Sequence, residues 1–371
     1  MNKKFWAATF TLSGGIIGAG ILGLPYVFAK SGFLVGLFWL ICLGVVLLFV
    51  NLCLGEITLR TKGIHQLSGY AKEYLGTWGQ RLMFSAVIFG IYSALLAYLI
   101  GEGESIAKLI PGNIPPIFFG IIFWLIMTLL LREGLKGLKK VETYGVIAVI
   151  TIIISIFINF FPNIQTSNLI TFNSENFILP IGVVLFSLLG FTSIPELRIE
   201  LKGQEKLLKK AILLGSLIPV GLYIIFSLTF VGILGKEVPE VATLSFGPFT
   251  IILGIFTMLT SFFVLSFSLK TTFKYDLKTK EITNFLFTSF IPLVIYIMVY
   301  QLNFISFSTI ISIGGVISGG ITAILILLIL KKSKSSTKNN KNPKIQIPIN
   351  WPIIILLSAM FILGIILEFI P

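Results

Sequence analysis

GGIIGAGILGLP, Gly14–Pro25, lies inside an apolar stretch running from about Phe5 to Ala29. Gly14, Gly15, Gly18, Gly20 and Gly23 leave backbone uncovered and Pro25 removes a donor, so a continuous helix is hard to sustain here. In hydrocarbon an uncovered peptide group is expensive, and irregular backbone persists only when buried in protein or lining a cavity. A helix broken at this point presents free N–H groups and carbonyls at mid-membrane, as transporters use to hold small polar solutes and ions. Close helix packing alone is the competing explanation, since Gly14/Gly18 and Gly15/Ala19/Gly23 are small residues four apart. Pro25, and a second segment of the same kind further on, ask for more than packing.

The surroundings are those of a polytopic membrane protein. Of 371 residues, 56% are hydrophobic and 12% charged, about half the charged fraction of a soluble domain. The net charge of +13 does not point to nucleic acid, because the basic residues occupy short loops between apolar runs and no nucleic-acid-binding motif is present. Lys3 and Lys4 precede an apolar run too long for a signal peptide and without a small-residue cleavage site, so the run is kept as the first span. Cys42 and Cys53 stand about 16 Å apart along one predicted helix, too far for a disulfide. His65 is a lone loop histidine, which argues against a structural zinc site.

Hydropathy predicts eleven spans: about 5–29, 33–59, 81–107, 114–131, 142–161, 177–200, 208–234, 247–273, 284–300, 304–330 and 351–370. With the N-terminus cytoplasmic and the C-terminus outside, every basic residue except Lys30, Lys108 and Lys236 falls in an inner segment. A missed span would invert each later loop, so this alternation supports the count as well as the orientation. The Arg60–Arg81 connection, with aromatics among polar residues, reads as a short helix along the inner surface. Lys331–Lys344 is low-complexity and basic and reads as a disordered linker within a cytoplasmic segment 331–350.

The sixth span, Phe177–Leu201, repeats the oddity of the first. Gly190 is flanked by Ser187, Thr192 and Ser193, and Pro195 follows. Gly18 and Gly190 stand at corresponding depths in spans that enter from opposite sides. Two discontinuous helices so related suggest inverted repeats, about 5–161 and 177–330, within a transporter core 1–330, followed by an extra helix at 351–371.

GGIIGAGILGLPYVFAKSGF resembles the first-helix signature of amino-acid permeases in the amino acid/polyamine/organocation superfamily. The nearest groups are the amino acid/auxin permeases and the hydroxy/aromatic (tryptophan/tyrosine) amino acid permeases. Gly190, Phe191, Pro195 and Glu196 are similar to the GF-x-x-x-PE motif of the same groups. The resemblance implies an all-α, five-plus-five inverted-repeat fold like that of sodium-coupled leucine transporters. It also implies secondary-active symport of a neutral, aromatic or branched amino acid across the cell membrane. No cofactor, catalytic residue or obligate protein partner is expected beyond the bilayer, the substrate and a coupling ion.

Carried over residue by residue, the resemblance places the substrate carboxylate on the N–H groups of Gly18, Ala19, Gly20 and Ile21. The ammonium then meets the carbonyls of Phe186 and Ser187 before the break at Gly190. A half-helix that begins with unpaired donors and a positive dipole end suits a carboxylate. Phe191, Tyr92, Ser93 and Tyr98 are expected to line the side-chain pocket, although most of the 34 Phe and 10 Tyr must serve the core or face lipid. For the ion, Thr257, Thr260 and Ser261 share a helical face, and with carbonyls of Gly14 and Ile17 they would form a sodium site like that of sodium-coupled relatives. Against this, hydroxyls in membrane helices commonly bond their own i−4 carbonyl. Span five has no interior lysine of the kind proton-coupled relatives can place there.

Protons are the alternative coupling ion. Of four carboxylates near membrane depth, Glu56 is expected to pair with Arg60, and Glu102 and Glu104 to face water near the end of span three. Glu196 is left as the proton-coupling candidate or a structural latch. A non-transporting amino-acid sensor on the same fold is the other alternative, and an enzyme is disfavoured because no span carries paired catalytic groups.

Overall fold

The computed structural model describes residues 3–133, 138–275, 279–302, 306–335, 343 and 345–369. Among these residues there is no strand. The first span is two helices, α1 (Lys3–Ile16) and α2 (Gly20–Ser31), bent by 54° at the glycine-rich break. Next come α3 (Phe33–Arg60), α4 (Leu67–Leu109), α5 (Pro116–Glu133), α6 (Leu138–Phe160) and the short α7 (Thr166–Leu169). The sixth span is again split, into α8 (Pro180–Ser187) and α9 (Ile194–Glu200) with a 3₁₀ turn at Phe191–Ser193. Then follow α10 (Leu208–Leu234), α11 (Pro248–Tyr275), α12 (Glu281–Phe285) and α13 (Ile291–Leu302). The chain ends with α14 (Phe307–Gly314), α15 (Gly320–Ser335) and α16 (Trp351–Glu368). Single π turns, Leu286–Phe290 and Gly315–Gly319, interrupt the ninth and tenth spans.

Among the described residues, nine helices are long and apolar enough to cross a bilayer, and ten if α1 and α2 form one span. The remaining predicted span is α5, whose apolar part, Pro116–Leu131, is a shorter helix of about 24 Å. It opens at Pro116, where the fixed φ and missing N–H of proline suit the first turn. The Arg60–Arg81 connection is helical from Leu67 and turns at Gly76 (φ 76°, ψ −165°) before α4 continues to Leu109. Only glycine takes that backbone conformation without strain. Leu67, Tyr70, Ala71 and Tyr74 form the buried stripe of this first part.

The two broken spans occupy the centre. α1 packs on α6, α9 and α10, α2 on α3, α8 and α10, and α4 lies across α5, α11, α14 and α15. By contrast α16 buries only Ile354, Phe361 and Gly364 and packs along α15 at the periphery.

The basic segment after the tenth span is described at its two ends. α15 extends through Lys334 to Ser335, and beyond the gap in the described residues Ile345 and Ile347 are buried. The Ile347 N–H donates to Glu56 Oε2 at 2.5 Å, and Lys334 Nζ donates to the Ile347 carbonyl at 2.5 Å. Two buried isoleucines, the Glu56 carboxylate and the Lys334 ammonium hold this segment down. Residues 336–342 and 344 of the expected linker lie outside the described residues.

Candidate functional site

Regular hydrogen bonding fails at the first break for lack of side chains to cover the backbone. The Ile17 N–H still reaches Ser13 O at 2.9 Å, but Ile21 N–H finds Gly18 O only at 3.4 Å. Leu22 N–H bonds Ala19 O at 3.0 Å, and no side chain caps the start of α2. At the second break Leu189 N–H bonds Phe186 O at 3.2 Å and Ser193 N–H bonds Gly190 O at 3.1 Å.

The two breaks meet. A Cβ at Gly20 would collide with the Cα of Ser187, one at Gly15 with the hydroxyl of Ser193, and one at Gly190 with the Ile16 side chain. Packing and helix breaking are therefore one design here: glycine allows the half-helices to cross backbone against backbone. Tyr223 of α10, fully buried, ties the crossing together. Its hydroxyl stands 2.9 Å from Ile16 O and 2.8 Å from Ser187 O, the terminal carbonyls of α1 and α8. One hydroxyl proton can be donated to only one of them at a time.

Tyr98 of α4 closes the other side. A Cβ at Gly18 would lie 2.8 Å from the Tyr98 hydroxyl and 3.6 Å from Ser261 Oγ. Tyr98 and Ser261 both border the open side of Gly18. Gly18, Ala19, Gly20, Ser187, Tyr98, Ser261 and Tyr223 thus converge on one buried junction.

Other expected residues stand elsewhere. The Tyr92 hydroxyl donates to Phe287 O at 2.7 Å, which ties it to the ninth span rather than to the junction. Ser93 donates to Phe89 O at 3.0 Å and packs against Gly314. Phe191 is buried within its turn, and Ile21 is buried in the first turn of α2. The Thr257 hydroxyl donates to Leu253 O at 2.8 Å, and that of Thr260 lies 3.0 Å from both Phe256 O and Thr257 O. Both protons are turned back on their own helix. Of the hydroxyls expected at the ion site, Ser261 is the one beside the break; Gly14 lies within α1, and Ile17 is buried just after it.

Glu196 is half-buried in the first turn of α9. Two residues on, Arg198 donates to Thr58 O and to Gly63 O. Glu56 pairs with Arg60 at 2.7 Å as expected, and also lies 3.4 Å from Lys334 Nζ. Glu102 overturns its expectation. It does not face water: it is wholly buried, and neither carboxylate oxygen has a hydrogen-bond partner. Glu104 lines a cavity of about 390 Å³ together with Ile100, Glu240, Tyr300, Ser306 and Phe307.

The family model described as the tryptophan/tyrosine permease family matches residues 1–242, a stretch that contains both breaks, Tyr98 and Tyr223. The chain belongs to this family. Tyrosine-specific transport system 1 of Haemophilus influenzae is 28% identical over 242 residues, covering 64% of this chain and 60% of that protein. Glutamine transporter 2 of Aliivibrio fischeri is 24% identical over 317 residues, 79% of this chain and 81% of the relative. Tyrosine-specific transport system 2 of Haemophilus influenzae is 24% identical over 249 residues, 64% and 60% respectively. The matched stretch thus spans less than two thirds of the length of both tyrosine-specific relatives. These relatives are named as transporters, not enzymes. Family membership and the long apolar helices make this permease-family chain a multi-pass membrane protein. α11, with Thr257, Thr260 and Ser261, lies beyond the family match.

Proposed function

We propose that the protein is a secondary-active symporter that carries a neutral amino acid across the cell membrane by alternating access. The observation that carries this reading is the junction itself, where two broken spans cross at Gly20 and Ser187. There the ends of the half-helices and two buried tyrosines, Tyr98 and Tyr223, come together. A zwitterion needs donors for its carboxylate and acceptors for its ammonium without a net protein charge. Amides at Gly18–Ile21 supply the first, assisted by the dipole of α2. The carbonyls of Ile16, Phe186 and Ser187 supply the second, since Tyr223 satisfies only one of its two acceptors at a time.

The relatives' names favour tyrosine, tryptophan or glutamine as substrate. Inverted repeats, an eleven-span count and a cytoplasmic N-terminus belong to the same proposal, supported by the similar placement of the two breaks and by the loop lysines. Sodium coupling through Gly14, Ile17, Thr257, Thr260 and Ser261 is supported by the position of Ser261 beside Gly18. Proton coupling is the second reading, favoured because the Thr257 and Thr260 hydroxyls are engaged with their own helix. Glu196 is one carboxylate to test for it.

The test is uptake of labelled tyrosine, tryptophan and glutamine into proteoliposomes under an imposed sodium or proton gradient. Gly18→Leu fills the break and should abolish binding and uptake; near-normal uptake by that variant would sink the site. Binding without accumulation under either gradient would favour the sensor.

A further inference from the structure

Tyr98, Glu102 and Ser105 are spaced four and three apart, so they form one stripe along a single face of α4. All three are buried, Glu102 and Ser105 to zero exposure. Tyr98 abuts the break at Gly18, and Glu102 lies one turn further along, about 6 Å. The face turns toward α11: the Tyr98 ring approaches Phe262, and Gly101, next to Glu102, backs onto Met258 and Phe307. Glu102 Oε1, Glu102 Oε2 and Ser105 Oγ all lack hydrogen-bond partners.

No basic side chain among the described residues pairs with this carboxyl. Among the described residues, α5 from Pro116 to Leu131 and α14 with α15 as far as Leu330 carry no charged side chain. The two basic residues of α11, Lys270 and Lys274, lie at its far end, and Lys270 donates to Leu131 O at 2.8 Å. α13 contributes Tyr296, whose hydroxyl approaches Gly103 and Gly120, and Tyr300. α2 contributes Tyr26 and Lys30; Lys30 sits over the Tyr26 ring and donates to Lys236 O at 3.3 Å. The nearest acids are Glu104, on the opposite side of α4, and Glu240, which accepts from Ser308 N–H at 2.9 Å. An ionised carboxylate with neither a partner nor a cation does not persist in such a setting, whereas the neutral acid does.

We propose that Glu102 is a proton-binding site that is loaded when the carrier closes over its substrate. This rests on the transport reading above. Closure at Tyr98 excludes water from the next turn of α4, so the closed form selects the protonated carboxyl. When substrate leaves, water entering the vacated space lets the carboxyl ionise and release its proton. The cavity bordered by Glu104 and Glu240 lies beyond the buried Phe307 ring, which lines it and would stand 3.3 Å from a Cβ at Gly101. Each substrate occlusion then takes up one proton. Because the bound form is the protonated one, affinity is full at low pH. It weakens as pH rises past the ionisation of Glu102, by up to about tenfold per pH unit for one linked proton.

The experiment measures binding of labelled tyrosine, tryptophan and glutamine to purified wild type, Glu102→Gln and Glu102→Asp across pH, and counterflow and proton-driven uptake in proteoliposomes. The expected result has three parts. Wild-type affinity falls with pH. Glu102→Gln binds independently of pH and exchanges substrate but no longer accumulates it under a proton gradient. Glu102→Asp, which keeps a carboxyl, retains driven accumulation. Unchanged pH dependence or proton-driven uptake in Glu102→Gln overturns the proposal while leaving the transport reading intact. A wild type governed by sodium concentration instead of pH also overturns it. Absence of any binding or counterflow in wild type overturns the transport reading, and this site with it.

Discussion

Glu56 and Glu102 have the same exposure, zero, and opposite surroundings. Glu56 is held on every side: Arg60 Nε at 2.7 Å, Lys334 Nζ at 3.4 Å and the Ile347 N–H at 2.5 Å. Glu102 has no hydrogen-bond partner among the described residues. A buried charge that is paired and hydrogen-bonded is a fastener, whose removal strands its partners. A buried acid with nothing to hold contributes nothing to the fold as an anion, and its presence asks for a role in the working cycle. Depth of burial alone does not separate the two; the inventory of partners does.

Replacing Glu56 by alanine sharpens that contrast most. It leaves Arg60 and the Ile347 amide without their acceptor and should cost about 3–5 kcal/mol, read as a large drop in thermal stability in detergent. Tyr223→Phe comes next. It removes the one hydrogen bond shared between the end carbonyls of α1 and α8, with an expected loss of about 1–3 kcal/mol and weakened substrate binding in the same preparation. Lys334→Met removes the more exposed member of the Glu56 cluster and should cost no more than about 1 kcal/mol. Its clearest effect should be faster proteolysis in the segment before Trp351. The smallest effect belongs to Glu102→Gln, which exchanges one neutral partnerless group for another and should shift stability by less than about 1 kcal/mol. A loss comparable to that of Glu56→Ala would break the comparison and make Glu102 a structural group after all.

Much of this architecture is legible in the sequence because membranes simplify the reading. Apolar length finds most spans. Glycine with proline marks the two breaks, since no other residues leave backbone so bare. The pairing of Glu56 with Arg60 follows from four-residue spacing. Tyr92, six residues from Tyr98, stands about 120° away around the helix, and its hydroxyl is turned to the ninth span. Tyr223 is different. It joins carbonyls 207 and 36 residues distant, and a lone tyrosine in an apolar helix gives no local sign of that. Glu102 was misread for a related reason. A position near a helix end looks wet until the packing of α11 and α14 is known, and sequence periodicity carries no information about which neighbours cover it.

The contact between Gly20 and Ser187 has a mechanical consequence. Where two helices touch through side chains, rotamer changes can absorb a small displacement. Here the two main chains press directly together with no compliant layer between them. The crossing point therefore resists sliding and leaves rotation as the soft coordinate, as a bearing does. A short travel at the ends of α1 and α9 on one side would then be matched by opposite travel of α2 and α8 on the other, so one side narrows as the other widens.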